Sequence, residues 1–448
     1  MPSLVENLIG GVLLYLSCSI SAAGGIGGGG LNVPILLVVF GYEYQQAVIY
    51  SLSTVLGNYV SQVYLNWRKR HPYDPRRPLI YWDAVLLLLP AQLGGSNIGV
   101  VIAKIFPEGV LIILAMVVLL FAGYKSFRKG RKYWQEETFR HLRTVASLGP
   151  LPTVFEGDEG DEEEDEDEGI DSDNGRERSR EYLLLNASSS GTGGGSFTSN
   201  KVENGGGSGG GSGGAPVLSE ISFRGSDLHG LELPWPTLRV LFVLWVMYAA
   251  LYSMLTVVLH VCSASYWSLL GASYVPLAGL VLWALAHVVD KQTRDPSSVL
   301  PGDLAIASSP SAALSAPCLA FVIGILCTLL GIGGGELMGP LLLSLRAMPQ
   351  VVSATTSTMS FLNTSSNLVH FAILGQIKPA YFFSFFAIGS LGGISGRFFY
   401  AHVSKKYGRP SITIFMLLSV LVMSIFLLIF HLFSETPNFS TLTPYCKR

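Results

Sequence analysis

The chain has 448 residues, 49% of them hydrophobic and 13% charged, against about 25% charged in an ordinary soluble protein. That excludes a soluble globule as the starting point. The net charge of −2 conceals a division: thirteen of the 31 acids lie in 156–173, and the remaining 18 face 29 bases, so the rest of the chain carries +11. A basic, apolar body and a separate acidic segment share one chain.

The first 24 residues are apolar and end in small residues at Ala22 and Ala23, the outline of a signal peptide. No base precedes the apolar run and Glu6 sits where one is expected, so the segment reads as a retained membrane half-helix. Stretches long enough to cross a bilayer follow at 48–65, 79–103, 109–124, 240–261, 267–289, 351–374, 380–400 and 412–433. Two more, 8–40 and 314–345, are apolar but broken by glycines. The five cysteines lack zinc-site or disulfide spacing and read as small hydrophobes.

An internal repeat organises the chain. GIGGGGLNVPILL at 25–37 returns as GIGGGELMGPLLL at 331–343, with nine identities in thirteen positions. Gln46 matches Gln350, Ser53 and Thr54 match Ser357 and Thr358, and Leu93-Gly94-Gly95 matches Leu391-Gly392-Gly393. The expected class is all-α and polytopic, with two diverged repeats and two linking spans. The expected boundaries are a first repeat at 1–128, an insertion at 129–236, linking spans and a loop at 237–313, a second repeat at 314–434 and a tail at 435–448. The insertion carries the acidic run and a Gly/Ser tract, a composition that cannot bury enough apolar surface to offset chain entropy, and so reads as disordered.

Basic residues orient the spans. The 68–77 loop holds five Lys and Arg and is expected in the cytoplasm, with Lys125, Arg128, Lys129, Arg131 and Lys132 on the same side. In the second half the basic loops lie at Arg346 and at Lys405, Lys406 and Arg409, while the counterpart of 68–77 holds only Lys378. An inverted second repeat follows if each glycine-broken stretch is a re-entrant pair of half-helices preceding three full spans. If each were a single crossing, the repeats would be parallel and Lys405, Lys406 and Arg409 would face outward.

The glycine runs point to function. Non-helical backbone at membrane depth is tolerated where it is buried in protein or lines a cavity. Glycine permits the break, and Pro34 and Pro340 fall nine residues after Gly25 and Gly331, where proline begins or kinks a helix. Free amides and the positive end of a helix then outline an anion site, and paired broken elements are the pattern of a transporter site near the midplane. The competing reading is close helix packing by small residues. The expected substrate-binding set is Gly25, Gly27, Gly28, Gly29, Asn32, Ser53, Thr54 and Asn58 in the first copy. In the second copy it is Gly331, Gly333, Gly334, Gly335, Ser357, Thr358 and Asn363. Ser and Thr hydroxyls bind oxyanions but equally satisfy their own helix carbonyls. Glu336 replaces Gly30 in the second motif; an acid at membrane depth reads as a proton carrier, or alternatively as a residue of a wet vestibule or the cap of a half-helix.

Enzyme signals are weak. Gly393-Ile394-Ser395-Gly396 matches the GxSG of intramembrane serine proteases, with His402 and His431 downstream, but lies in a glycine-rich packing stretch. No cofactor, metal or nucleic acid is expected.

Together the two glycine motifs, the NWRKRHP loop at 66–72, the Ser/Thr-rich 351–358 and the Gly94-Gly95 span resemble the TauE/SafE family of sulfite exporters, in its plant-type branch. The resemblance covers about 8–135 and 240–433. It implies a secondary transporter of small anions, associated in bacteria with efflux of sulfite and organosulfonates, in the plasma membrane or an endomembrane of a plant-like cell. It implies that the glycine segments and their Ser/Thr clusters form the path. The alternative function is a non-transporting scaffold or receptor, binding a basic protein partner through the acidic loop. A sequon at Asn438-Phe439-Ser440 reports which side of the membrane holds the carboxy terminus.

Overall fold

The computed structural model describes residues 4–146, 233–258, 263–295, 299–300, 303, 310–345, 347–407 and 412–434. The acidic run, the Gly/Ser tract, Arg346, Arg409 and the sequon lie outside the described residues. What is described is helical apart from turns and one isolated bridge, Arg70 to Pro78. The helices are α1 (Leu4–Ala23), α2 (Gly29–Val38), α3 (Tyr44–Trp67), α4 (Trp82–Ile105), α5 (Glu108–Ala146), α6 (Trp235–Val258) and α7 (Ala264–Arg294). They continue with α8 (Pro310–Leu330), α9 (Gly335–Ser344), α10 (Pro349–Ile373), α11 (Pro379–Tyr407) and α12 (Ile412–Ser434). α5 runs on as helix through 129–146, residues that composition alone assigns to the insertion.

Among the described residues, seven helices are long and apolar enough to cross a membrane: α4 to α8, α11 and α12. Their outward faces carry large apolar side chains, with Phe433 86%, Val275 72% and Phe121 68% exposed, whereas Ser53, Thr54, Asn58 and Gln62 are fully buried. Apolar surface outside and polar groups inside is the arrangement that hydrocarbon imposes, since lipid satisfies no hydrogen bond. α3 and α10, at 24 and 25 residues, are also long enough to cross. Their Ser, Thr and Asn content makes them unsuited to lipid, and their neighbours cover them.

Glycine allows the closest approaches. A side chain at Gly95 or Gly324 would collide with the carbonyl of Phe321 or Gln92 where α4 crosses α8. Gly396 presses on the Ser19 carbonyl where α11 meets α1, and Gly57 and Gly389 bring α3 onto α11. These are small-residue membrane contacts. Ser395 belongs to them: its hydroxyl meets Ser19 Oγ at 3.2 Å and donates to the Gly392 carbonyl at 3.0 Å.

The helix pairings also give directions. α2 turns back along α1, with Asn32 beside Ser17 and Phe40 against Gly10. At ten residues α2 is about 15 Å long, half the hydrocarbon thickness. α11 runs with α3, from Tyr381 beside Tyr50 to Arg397 beside Gln62. α10 runs with α4, from Thr355 at Tyr81 to Asn363 at Ser96. α3 and α10 run in opposite senses: Arg397 ties Gln62, near the end of α3, to Ser353, near the start of α10. At the other end, Tyr44 and Gln45 of α3 share a cavity with Phe371 of α10.

The basic loop after α3 is folded. His71 and Leu79 donate backbone N–H groups to Arg77 and Lys69 carbonyls. Asp303, buried between α7 and α8, accepts from Arg77 at 3.0 Å and lies 3.7 Å from His71 Nε2. Burial pushes the Asp303 carboxyl up and the His71 imidazole down from their ordinary values.

Candidate functional site at the paired glycine turns

Each short helix begins at a glycine turn, α2 after 24–28 and α9 after 331–334. Gly25 and Gly331 occupy equivalent places and both have positive φ, 77° and 65°, a conformation nearly closed to other residues. The two turns meet. A side chain at Gly29 would strike the Gly333 amide, and one at Gly30 would strike the Glu336 carboxylate. The amino ends of α2 and α9, each the positive end of a helix dipole, are thereby brought together.

Glu336 joins them. Its Oε1 accepts from the Gly30 amide at 2.9 Å, while Oε2 is buried with no partner. Ser51 spans both turns, donating to the Gly29 carbonyl at 3.4 Å and the Gly331 carbonyl at 3.3 Å. Tyr59 stands between Gly27 and Gly333, and its hydroxyl accepts from the Gly335 amide at 3.1 Å. The amides of Gly27, Gly28, Gly29, Ile332, Gly333 and Gly334 donate to no acceptor among the described residues. Beside Gly334 lie the Gln92 side-chain amide, which has no partner, and the Ser360 hydroxyl, which adjoins the Tyr59 hydroxyl; both residues are fully buried.

The other expected site residues separate into two groups. Asn58 is in the site: its Nδ2 donates to the carbonyls of Gly27 at 3.0 Å and Cys18 at 3.1 Å. Asn32 holds α2 to α1, its Oδ1 accepting from Ser17 at 2.8 Å. Asn363 lies one step away, its Oδ1 accepting from Ser96 at 2.7 Å. The four hydroxyls of Ser53, Thr54, Ser357 and Thr358 instead donate to carbonyls of their own helices: Ile49, Tyr50 and, for the last two, Ala354. They let polar helices pack without orphaned oxygens.

Sequence reasoning missed Tyr59, Gln62, Gln92 and Arg397. Gln62 donates to the Ile26 carbonyl at 2.8 Å and accepts from Arg397 at 3.1 Å. The signal for Arg397 was available: it is a lone base inside the apolar stretch 380–400, and an intramembrane charge is a functional candidate by default. The signal for Gln92 was its amide within an apolar run.

The comparisons with known proteins settle the family. The profile described as "Sulfite exporter TauE/SafE" matches residues 10–198 and 221–423. The chain belongs to the sulfite exporter TauE/SafE family. It is 28% identical over 436 residues to Sulfite exporter TauE/SafE family protein 2 of Arabidopsis thaliana, covering 94% of this chain and 82% of that protein. With family protein 5 of the same plant the identity is 27% over 428 residues, covering 93% and 81%. With family protein 1 it is 26% over 437 residues, covering 95% and 84%. No solved structure matches the chain. The family consists of membrane transporters rather than enzymes, and this member is an integral, multi-pass anion transporter.

Proposed function

We propose that the protein is a secondary transporter of small sulfur oxyanions or organosulfonates, and that the paired glycine turns are its central binding site. The juxtaposition of two half-helix amino ends, with unpartnered amides and the Gln92 and Ser360 side chains around them, carries the reading. Neutral donors and helix dipoles attract a small anion without the tight grip of a fixed ion pair, so the anion is held and released.

Glu336 supplies the coupling in this reading. Two facing positive helix ends need a negative charge, and the Glu336 carboxylate provides one when no substrate is bound. An arriving oxyanion competes with that carboxylate for the same donors. Protonation of Glu336 at the unpartnered Oε2 relieves the repulsion, so anion and proton move together. The opposed directions of α3 and α10 and the return of α2 along α1 support inverted halves, each a re-entrant hairpin followed by three spans. In such an arrangement the site opens to the two sides alternately as the halves rock.

Uptake of labelled sulfite, sulfate and a small sulfonate into proteoliposomes, with and without a pH gradient, tests the reading. Accumulation of at least one of them is expected, and absence of transport for all three refutes it.

A further inference from the structure

Charge breaks the likeness of the two halves. Counted from the matching Leu-Gly-Gly segments, Arg397 takes the place of Gly99, just as Glu336 takes that of Gly30. Arg397 is 8% exposed. Its Nη2 donates to Ser353 Oγ at 2.8 Å and to Gln62 Oε1 at 3.1 Å, and its Nε is buried without a partner. Lys69, immediately beyond α3, donates to Asn66 Oδ1 at 3.0 Å. Burial, and after it the charge of Arg397, push the Lys69 ammonium down to about 7. Among the described residues no carboxylate pairs with either cation. Two like charges withdrawn from water without a counter-charge are costly, and an anion between them removes that cost.

Arg397 adjoins the first glycine turn through the two side chains it holds, Ser353 and Gln62. Ser353 lines a cavity with Gly24, Gly25 and Val352, and a side chain at Gly25 would collide with it. Gln62 reaches the same turn through the Ile26 carbonyl. A cavity at the opposite end of α3 is lined by Gln45, Val48, Ile49 and Thr328, and no basic residue lines either cavity directly.

We propose that Arg397 and Lys69, with the Ser353 hydroxyl, form a separate anion-binding station that takes a small oxyanion at the Lys69 end of the first glycine turn. The guanidinium presents planar, paired donors suited to two oxygens of a sulfite, sulfate or sulfonate group. The ammonium supplies a point charge, and Ser353 adjoins the station to the turn. The station rests on the reading of the protein as an oxyanion transporter, and it assigns roles to residues outside the glycine turns.

The test uses the purified full-length protein with labelled sulfite and sulfate, measuring equilibrium binding in detergent and uptake in proteoliposomes. Arg397→Gln is expected to weaken binding by about 10- to 100-fold, the loss of a charge-assisted hydrogen-bonding group. Lys69→Gln weakens it less, and Arg397→Lys recovers part of the loss. A second readout is independent of any variant's folding: in the wild type, sulfate, which unlike sulfite does not add to the reagent's aldehyde, slows modification of Arg397 by phenylglyoxal, read by peptide mass. Binding and uptake unchanged in folded Arg397→Gln and Lys69→Gln, or no protection of Arg397, overturns the station while leaving transport intact. A wild type that neither binds nor transports any of the probes overturns the transport reading and the station with it.

Discussion

The Glu336 carboxylate accepts the Gly30 amide across 2.9 Å, joining two glycine turns separated by more than 300 residues of chain. The position of Glu336 in the second motif is that of Gly30 in the first, so one contact joins two equivalent places. Glu336→Gln keeps the shape and an oxygen acceptor but removes the titratable proton. Uptake by this variant is expected to persist without stimulation by a pH gradient. Stimulation equal to that of the wild type would remove Glu336 from the coupling.

The close approach of the turns makes a contrasting pair of glycine substitutions informative. A methyl at Gly29 meets the Gly333 amide, a backbone group that cannot swing aside, so Gly29→Ala forces a shift costing about 1–3 kcal/mol. Gly271 in α7 has open space around it, and Gly271→Ala is expected to be neutral within about 0.5 kcal/mol. Thermal unfolding followed by size-exclusion fluorescence distinguishes the two. Equal stability of both variants would mean that the turns do not pack as described.

Legibility varied with the kind of information required. The glycine motifs, the repeat and the apolar spans are patterns along the chain, and helices formed at the apolar stretches, α5 alone running on well beyond its own into the polar 129–146. Which polar face of α3 points at the turns depends on partners far away in sequence. Ser53 and Thr54 therefore looked equivalent to Asn58, yet their hydroxyls are hydrogen-bonded to their own helix while Asn58 holds the Gly27 carbonyl. Tyr59 and Gln92 read as an ordinary aromatic and a stray amide until folding set both beside the second turn. Arg397 was obscured by the basic residues that follow it at Lys405 and Lys406.

Lys69 gives the station a pH dependence. The groups facing it are the Arg397 guanidinium and the Asn66 amide oxygen. With its folded-state value lowered to about 7, Lys69 loses its charge as pH rises through that value. Affinity for sulfate, whose charge is constant in this range, is therefore expected to fall between about pH 6 and pH 8. Lys69→Gln removes this component. A sulfate affinity that rises with pH, or an identical fall in Lys69→Gln, would contradict the assignment.

The acidic run at 156–173 is separate in sequence from every group placed at the glycine turns. The proposed site takes no substrate contact from this segment, and salt screens the field of a charged run, so its deletion is expected to leave the initial rate of anion uptake within about twofold of the wild type. Loss of partner binding from cell extracts together with intact uptake would assign the segment to regulation. Loss of uptake in the folded deletion variant would place it in the transport path.

The most direct measurement of the central claim is uptake of labelled sulfite by proteoliposomes containing the wild type, Gly29→Ala or Arg397→Gln, at equal amounts of folded protein. Saturable uptake by the wild type that is strongly reduced in both variants is the predicted result. Saturable uptake by both variants at the wild-type rate would show that sulfite crosses by a route other than the paired glycine turns.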